Sequence, residues 1–495
     1  MPNYQSTREL KEIVSSKQAI IQGLSKDGGL FTPIDINFKL DPNDCINDSY
    51  QDIAFKVLHL MLDDFSEQEI KECVKKAYDS KFDNEEIVPL HKTKDAYLME
   101  LWHGPTCAFK DIALTILPRL LVTAYKSNNR KDIISILTAT SGDTGKAAIS
   151  GFSDVEHTAI TVFYPEIGVS QIQKKQMITS LGKNVEVIAV KGNFDDCQRM
   201  VKEATQNKEV LDSLKGVSIS SANSINVGRL VPQIVYYYSS YIKLVQNNEI
   251  HCVDAINFVV PTGNFGDILA GYYAKLLGLP IHKLICASNS NNVLTDFLQT
   301  GKYSINREFH TTISPSMDIL ISSNLERLLY IMSDYNNSYI SQIMKDLKEK
   351  KEYTISKIML DRIQETFVGY WTSEEESRKM IHDLYVDENT LIDPHTAVAY
   401  SALGKYKKET NDFHTTVVLS TASPFKFSKD VYACITNKVL DDFDAMEELS
   451  KETGASIPNG LKNLKNMNDR FTRSIEIKDG MHVIAERMKE LSHED

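Results

Sequence analysis

A chain of 495 residues is long enough for two or more domains and a large core. Its 42% hydrophobic and 25% charged residues are those of an ordinary globular protein. The formal net charge of -12 (55 Lys+Arg against 67 Asp+Glu) argues against a general nucleic-acid binder and leaves room for a local basic pocket for an anionic metabolite. The seven cysteines, at 45, 73, 107, 197, 252, 286 and 434, include no Cys-x-x-Cys pair. A zinc ribbon and a disulfide framework are therefore not expected, and a reducing compartment fits. The first thirty residues carry charges throughout, and no uncharged apolar run reaches the roughly 18 residues a membrane span needs. A cytoplasmic protein is the expectation.

Residues 1–95 read as a largely helical entry segment. Ile13, Ala19, Ile20, Ile21 and Leu24 suggest a helix ended by Gly28-Gly29, and Tyr50 to Tyr78 suggests two amphipathic helices. At Gly104-Pro105 the chain breaks, and Phe109, Ile112, Ala113, Ile116, Leu117 and Leu120 then recur at helical spacing. Lys110 sits in the first turn among apolar neighbours. By position alone it is either a surface lysine whose stem covers the core or a lysine kept dry so that its amine can form a Schiff base.

Asp132 to Ala139 is a short, β-branched, nearly all-apolar run, as in a buried parallel strand. It leads into Thr140-Ser-Gly-Asp-Thr-Gly145 and a helix start. A turn of this kind aims backbone N–H groups and hydroxyls at an anion over the helix N-terminus. It is not a nucleotide P-loop, because Thr140 stands where the first glycine belongs and Ala147 follows the lysine.

Strands at His157–Tyr164, Asn184–Val190 and Ser218–Ser221 alternate with helices at about 168–181 and 194–209. Asn223-Ser-Ile-Asn-Val-Gly-Arg229 precedes an apolar helix over Leu230–Val245. Asn and Ser are ordinary caps, but a cation near a helix N-terminus opposes the dipole unless an anion binds there. The strand Ile256–Pro261 feeds Thr262-Gly-Asn-Phe-Gly-Asp267, a second glycine turn before a helix. With only Gly263 and Gly266 it is not the dinucleotide fingerprint.

Leu284–Ser288 is the next strand. Residues 330–390 turn helical and charged, with a capping box at Ser373 and Glu376. Asp393-Pro-His-Thr396 opens another helix, and the strand Val417–Ser420 ends in Thr421-Ala-Ser-Pro-Phe-Lys-Phe427. The alternation predicts an α/β fold with a parallel sheet, its ligand crevice beyond the carboxyl ends of the strands. His103 and His395 are isolated and read as structural rather than catalytic. A dry lysine for an imine and a helix N-terminus for a phosphate are what pyridoxal phosphate requires, and a second cradle suggests a phosphorylated substrate.

These motifs together resemble the threonine synthase family, in its longer form. The resemblance runs through Tyr4–Arg8, Asp27–Pro33, His103–Asp111, Thr140–Gly145, Asn223–Arg229, Pro261–Asp267, Pro315–Ile319, Asp393–Thr396 and Thr421–Phe427. It implies the type II pyridoxal-phosphate fold, similar to the tryptophan synthase β subunit. That fold has two open, mostly parallel sheet domains with helical N-terminal and inserted segments. The implied boundaries are a helical segment 1–95, a large cofactor domain of 96–120 plus 226–495 with a helical insertion at about 330–390, and a small α/β domain 121–225.

The resemblance further implies that Lys110 carries pyridoxal 5'-phosphate and is the catalytic residue. Gly263, Asn264, Phe265, Gly266 and Asp267 bind the cofactor phosphate, and Thr421 faces the pyridine nitrogen. Ser141, Asp143, Thr144, Asn223, Ser224 and Arg229 hold O-phospho-L-homoserine. The implied reaction gives L-threonine and phosphate, in a monomer or homodimer that needs no metal, nucleic acid or membrane. A serine/threonine dehydratase on the same scaffold, or a non-catalytic phospho-metabolite binder, are the competing readings.

Overall fold

A computed structural model describes residues 3–8, 13–128, 131–140, 142–167, 169–204 and 207–492. Two sheets organise it. The large sheet has the strand order Phe367–Trp371, Ile281–Ser288, Ile256–Pro261, Thr416–Ser420, Tyr97–Glu100 and Leu90–Lys92. All neighbours in it are parallel except the last pair. The small sheet is wholly parallel, in the order Ser474–Glu476, Val185–Lys191, Thr158–Pro165, Ile133–Ala139 and Val217–Ser220. Both are buried on two faces, which is why their strands are apolar runs without polar alternation. Phe258 and Val260 pack into one core and Val259 into another; Ile160 and Val162 separate from Ala159 and Phe163 in the same way.

Proline explains two departures from the predicted helices. The helix expected from Lys110 onward is two, Lys110–Leu114 and Leu117–Ser127. Pro118 lacks an N–H, and its ring would meet the carbonyl four residues back, so the turn opens before it. The freed Leu114 carbonyl packs against Gly151, where no side chain fits. Likewise Pro232 splits the expected Leu230–Val245 helix into Val227–Leu230, a 3-10 turn Val231–Gln233, and Ile234–Gln246. The 194–209 helix is also two, because Asn207 caps a second start at Lys208.

Three larger corrections concern organisation. The entry segment holds the expected helices Tyr50–Met61 and Glu67–Ala77, but also a three-stranded antiparallel sheet of Tyr4–Ser6, Ile13–Val14 and Phe31–Pro33. Its first helix ends at Gly23, whose left-handed φ of 68° stops it earlier than Gly28-Gly29. The 330–390 stretch is not simply helical: Phe367–Trp371 is an edge strand of the large sheet, and Glu352–Thr354 pairs with Lys302–Ser304. Finally, Ser474–Glu476 crosses back to extend the small sheet, and the Gly480–Leu491 helix packs on that sheet's core, not on the large one. The Ser373–Glu376 capping box is present as expected.

Candidate active site

Lys110 lies where the two sheets meet. An antiparallel bridge between Ala108 and Ala422, with the Phe109 N–H donating to the Thr421 carbonyl (2.8 Å), ties its turn to the carboxyl end of the Thr416–Ser420 strand. Beneath the turn, the Asp111 carboxylate accepts from the Thr106 N–H (2.8 Å) and hydroxyl (2.6 Å). A Cβ on Gly104 would stand 2.5 Å from Asp111, so only glycine admits this closure. The Lys110 amine is nearly buried, and burial lowers its pKa from the ordinary lysine value. Its Nζ donates to Ser316 Oγ at 3.2 Å and stands 3.6 Å from Asp143 Oδ2. Lys110 is therefore not a surface lysine: its side chain is 11% exposed.

Asp143 opens the Asp143–Phe152 helix and is buried among donors: Lys426 Nζ at 2.7 Å, Gln173 Nε2 at 2.9 Å, and Lys110. The facing ammonium of Lys426 outweighs burial and holds the Asp143 carboxyl far below the usual carboxylate range. Its carboxylate therefore has nothing to offer an anion; only its backbone N–H, at the helix start, does. In the same turn the Thr140 hydroxyl accepts from the N–H groups of Gly142 (2.9 Å) and Gly145 (2.8 Å), so part of the expected anion cradle is already filled. Thr144 stands half-buried in the first turn of that helix; Ser141 lies outside the described residues.

Arg229, in the Val227–Leu230 turn, is a further buried cation. Its Nη1 donates to the Ala222 carbonyl at 2.8 Å, its Nε is buried without a partner, and no carboxylate among the described residues pairs with it. Burial pushes its pKa down to about 10. Asn223 and Ser224 are half-buried in the loop that precedes it. The conflict with the helix dipole expected from sequence is small, because this helix has only four residues.

The Gly263–Asp267 turn runs from the strand Ile256–Pro261 into the Gly266–Leu277 helix, with Phe265 at a left-handed φ of 63°. A Cβ on Gly263 would lie 2.6 Å from the Ser316 carbonyl, so this turn and the Pro315–Met317 turn are in contact. The Gly263 carbonyl accepts from Ser322 Oγ (2.7 Å) and the Asn264 carbonyl from the Asn324 side chain (3.0 Å). The two carbonyls are thereby held by their neighbours, and the Asn264 side chain is exposed. Asp267 differs from expectation: its carboxylate turns inward to Tyr236 (2.5 Å) and Tyr237 (3.1 Å), and burial pushes its pKa up to about 6. At this helix start it has only a backbone N–H to give a phosphate.

The pattern of donors fits pyridoxal phosphate: a dry amine, a glycine turn closed against a neighbouring backbone, and a hydroxyl residue, Thr421, at the strand end. A family model for pyridoxal-phosphate dependent enzymes matches residues 85–422, flanked by matches to the threonine synthase N terminus over 3–78 and the threonine synthase C-terminal region over 396–479. The threonine synthase of Saccharomyces cerevisiae is 36% identical over 467 residues, covering 87% of this chain and 89% of that protein.

The chain belongs to the threonine synthase family.

Among solved structures, the pyridoxal-phosphate-bound threonine synthase of Brucella melitensis superposes with a TM-score of 0.88 at 32% identity over the whole of both chains. The yeast enzyme superposes equally well, at 33% identity over 99% of this chain and 98% of that one. The fold is thus type II, and membership carries pyridoxal phosphate as cofactor. Human threonine synthase-like 1 is also 36% identical, but this chain spans about 60% of the length of that relative. No helix among the described residues is long and apolar enough to cross a membrane.

Lys426, Ser316 and Gln173 were not singled out from sequence. Lys426 had a signal, a lysine inside Pro-Phe-Lys-Phe, where apolar flanks announce burial. Gly263→Ala is expected to force the two contacting turns apart, at about 1–3 kcal/mol, and to weaken pyridoxal-phosphate affinity about tenfold. Titration of the cofactor by its absorbance checks this.

Proposed function

We propose that this chain converts O-phospho-L-homoserine and water to L-threonine and phosphate. The carrying observation is Arg229, a buried guanidinium whose Nε has no hydrogen-bond partner and with which no carboxylate among the described residues pairs. A buried charge is costly unless paired, and a substrate anion supplies the missing partner. Unphosphorylated amino acids supply only a carboxylate, so the second cradle favours a phosphorylated substrate over those of a dehydratase.

In this reading Lys110 serves twice. It carries the cofactor, and once released it takes the Cα proton as its neutral amine, the form that burial favours. Bound pyridoxal phosphate supplies the electron sink that acidifies the carbons beside the substrate amine. Thr421 offers the ring nitrogen a hydroxyl rather than a carboxylate and so keeps it unprotonated. Gly263, Asn264, Phe265, Gly266 and Asp267 hold the cofactor phosphate, the last through its backbone.

Arg229, Asn223, Ser224, Thr144 and Ser141, with the Asp143 backbone N–H, hold the substrate's phosphate and carboxylate. One Cβ proton leaves as the Cγ–O bond to phosphate breaks, Cγ takes up a proton and becomes the methyl group of threonine, water adds its hydroxyl at Cβ with its other proton going to phosphate, and the Cα proton is returned. The Asp143 carboxylate keeps Lys426 and Lys110 in place and contacts no anion. A cytoplasmic, monomeric or homodimeric enzyme completes the reading.

Arg229→Met, which keeps the volume but removes the charge, is expected to raise KM for O-phospho-L-homoserine by about 10- to 100-fold, the worth of one or two charge-assisted hydrogen bonds. kcat should change little. Because a buried unpaired charge is removed, thermal stability should not fall. Steady-state kinetics with a melting curve test both, with L-serine and L-homoserine run alongside. Turnover of either at the rate of the phosphorylated substrate would defeat the proposal, as would an unchanged KM.

A further inference from the structure

Two sequence motifs have no role in the chemistry above: Pro315-Ser-Met-Asp-Ile319 and Asp393-Pro-His-Thr396. They meet beneath the Lys110 amine. Among the described residues, the hydrogen bond Lys110 Nζ makes is to Ser316 Oγ (3.2 Å), and that hydroxyl reaches Asp143 Oδ2 at 3.5 Å. The Ser316 N–H donates to His395 Nε2 at 3.1 Å, while His395 Nδ1 bonds Asp393 Oδ2 at 2.6 Å.

An Nε2 that accepts a backbone N–H carries no proton, so the Nδ1–H donates to Asp393 and the tautomer is fixed. The imidazole is buried and packs edge-on against Phe427, with ring centroids 5.0 Å apart. The far end of the Ser316 turn is pinned by Asp318, which accepts from Thr312 (2.7 Å), Asn289 (2.8 Å) and Asn291 (3.0 Å). Many bonds are spent on holding one serine.

We propose that Ser316 is a catalytic residue that aims the Lys110 amine, and that Asp393 and His395 are positioning residues that act through Ser316. Its hydroxyl accepts from Nζ and donates to Asp143, which fixes the direction of the amine's lone pair. No proton leaves the amine for Asp143, whose carboxylate Lys426 keeps ionised. A long, freely rotating lysine side chain otherwise samples many orientations, and a misaimed amine loses rate both in taking up the cofactor and in proton transfer.

The inference rests on Lys110 being the cofactor lysine, and the test separates the two. The full chain, freed of cofactor, is recharged with pyridoxal phosphate, and the growth of the Schiff-base absorption is timed; kcat and KM are then measured. Ser316→Ala should slow recharging and kcat about tenfold with KM unchanged, and Ser316→Thr should recover most of the loss. His395→Leu should match Ser316→Ala, and the double variant should be no slower than either single one, since both remove one function. His395→Gln, whose side-chain oxygen can replace Nε2 as acceptor, should lie close to wild type. Recharging of Ser316→Ala at the wild-type rate overturns the proposal, as does a double variant in which the two losses multiply. If the wild-type chain gives no Schiff-base absorption, it is the Lys110 reading that fails.

Discussion

Lys110→Ala should lose all measurable turnover, a fall of at least about a thousandfold, while folding as before. Among the described residues its amine meets Ser316 at 3.2 Å, Asp143 at 3.6 Å and the face of the adjacent Phe109 ring, so little of the fold depends on it. Truncation removes both the cofactor attachment and the base. The absorbance of the bound cofactor should shift to that of free pyridoxal phosphate, and an added amine should not restore the native rate. Near-normal turnover would place the chemistry on another residue.

Asp143→Asn is expected to cost stability. The Asp143–Lys426 pair is buried on both sides, and among the described residues Lys426 is then left with neutral acceptors, the Thr106 carbonyl (2.9 Å) and the amide oxygen of the new side chain. Breaking a buried pair from one side typically costs about 3–5 kcal/mol, because the remaining ion stays dry and uncompensated. Urea unfolding at neutral pH reads this as a lower midpoint. The pH dependence follows from the sign of the shift. A carboxyl whose pKa is depressed by folding contributes its full stabilisation above its unfolded value, near 3.9. That contribution fades as pH falls from there toward the depressed native value. The stability gap between wild type and Asp143→Asn should therefore be at its full width at neutral pH and begin to narrow only below about pH 4. A gap that is constant with pH would show that the aspartate is held by shape alone.

Much of this was legible in the sequence, for identifiable reasons. Parallel strands buried on both faces leave apolar runs, and Ile133–Ala139, Thr158–Pro165 and Val185–Lys191 appeared within a residue of where they stand. Helix interruptions were missed at Pro118 and Pro232, because apolar spacing continues through a break that only the proline marks. The return of Ser474–Glu476 to the small sheet was invisible, since three residues carry no periodicity and the pairing spans almost 300 positions. In the site, Lys110 stood out as a charge in apolar surroundings and Arg229 as a cation near a helix N-terminus. The direction a side chain faces does not show in a motif. Hence Asp143 and Asp267 read as anion-site residues, although one faces Lys426 and the other two tyrosines. Ser316 reaches Lys110 across 206 positions, and His395 supports it from a further 79, so neither could be recognised from spacing.

The most direct test is to incubate the pyridoxal-phosphate-loaded chain with O-phospho-L-homoserine and to measure phosphate and amino-acid products together. Equal amounts of phosphate and L-threonine are the predicted result. Phosphate accompanied by 2-oxobutyrate in place of threonine, or no phosphate release from a chain with its cofactor bound, would contradict the proposed activity.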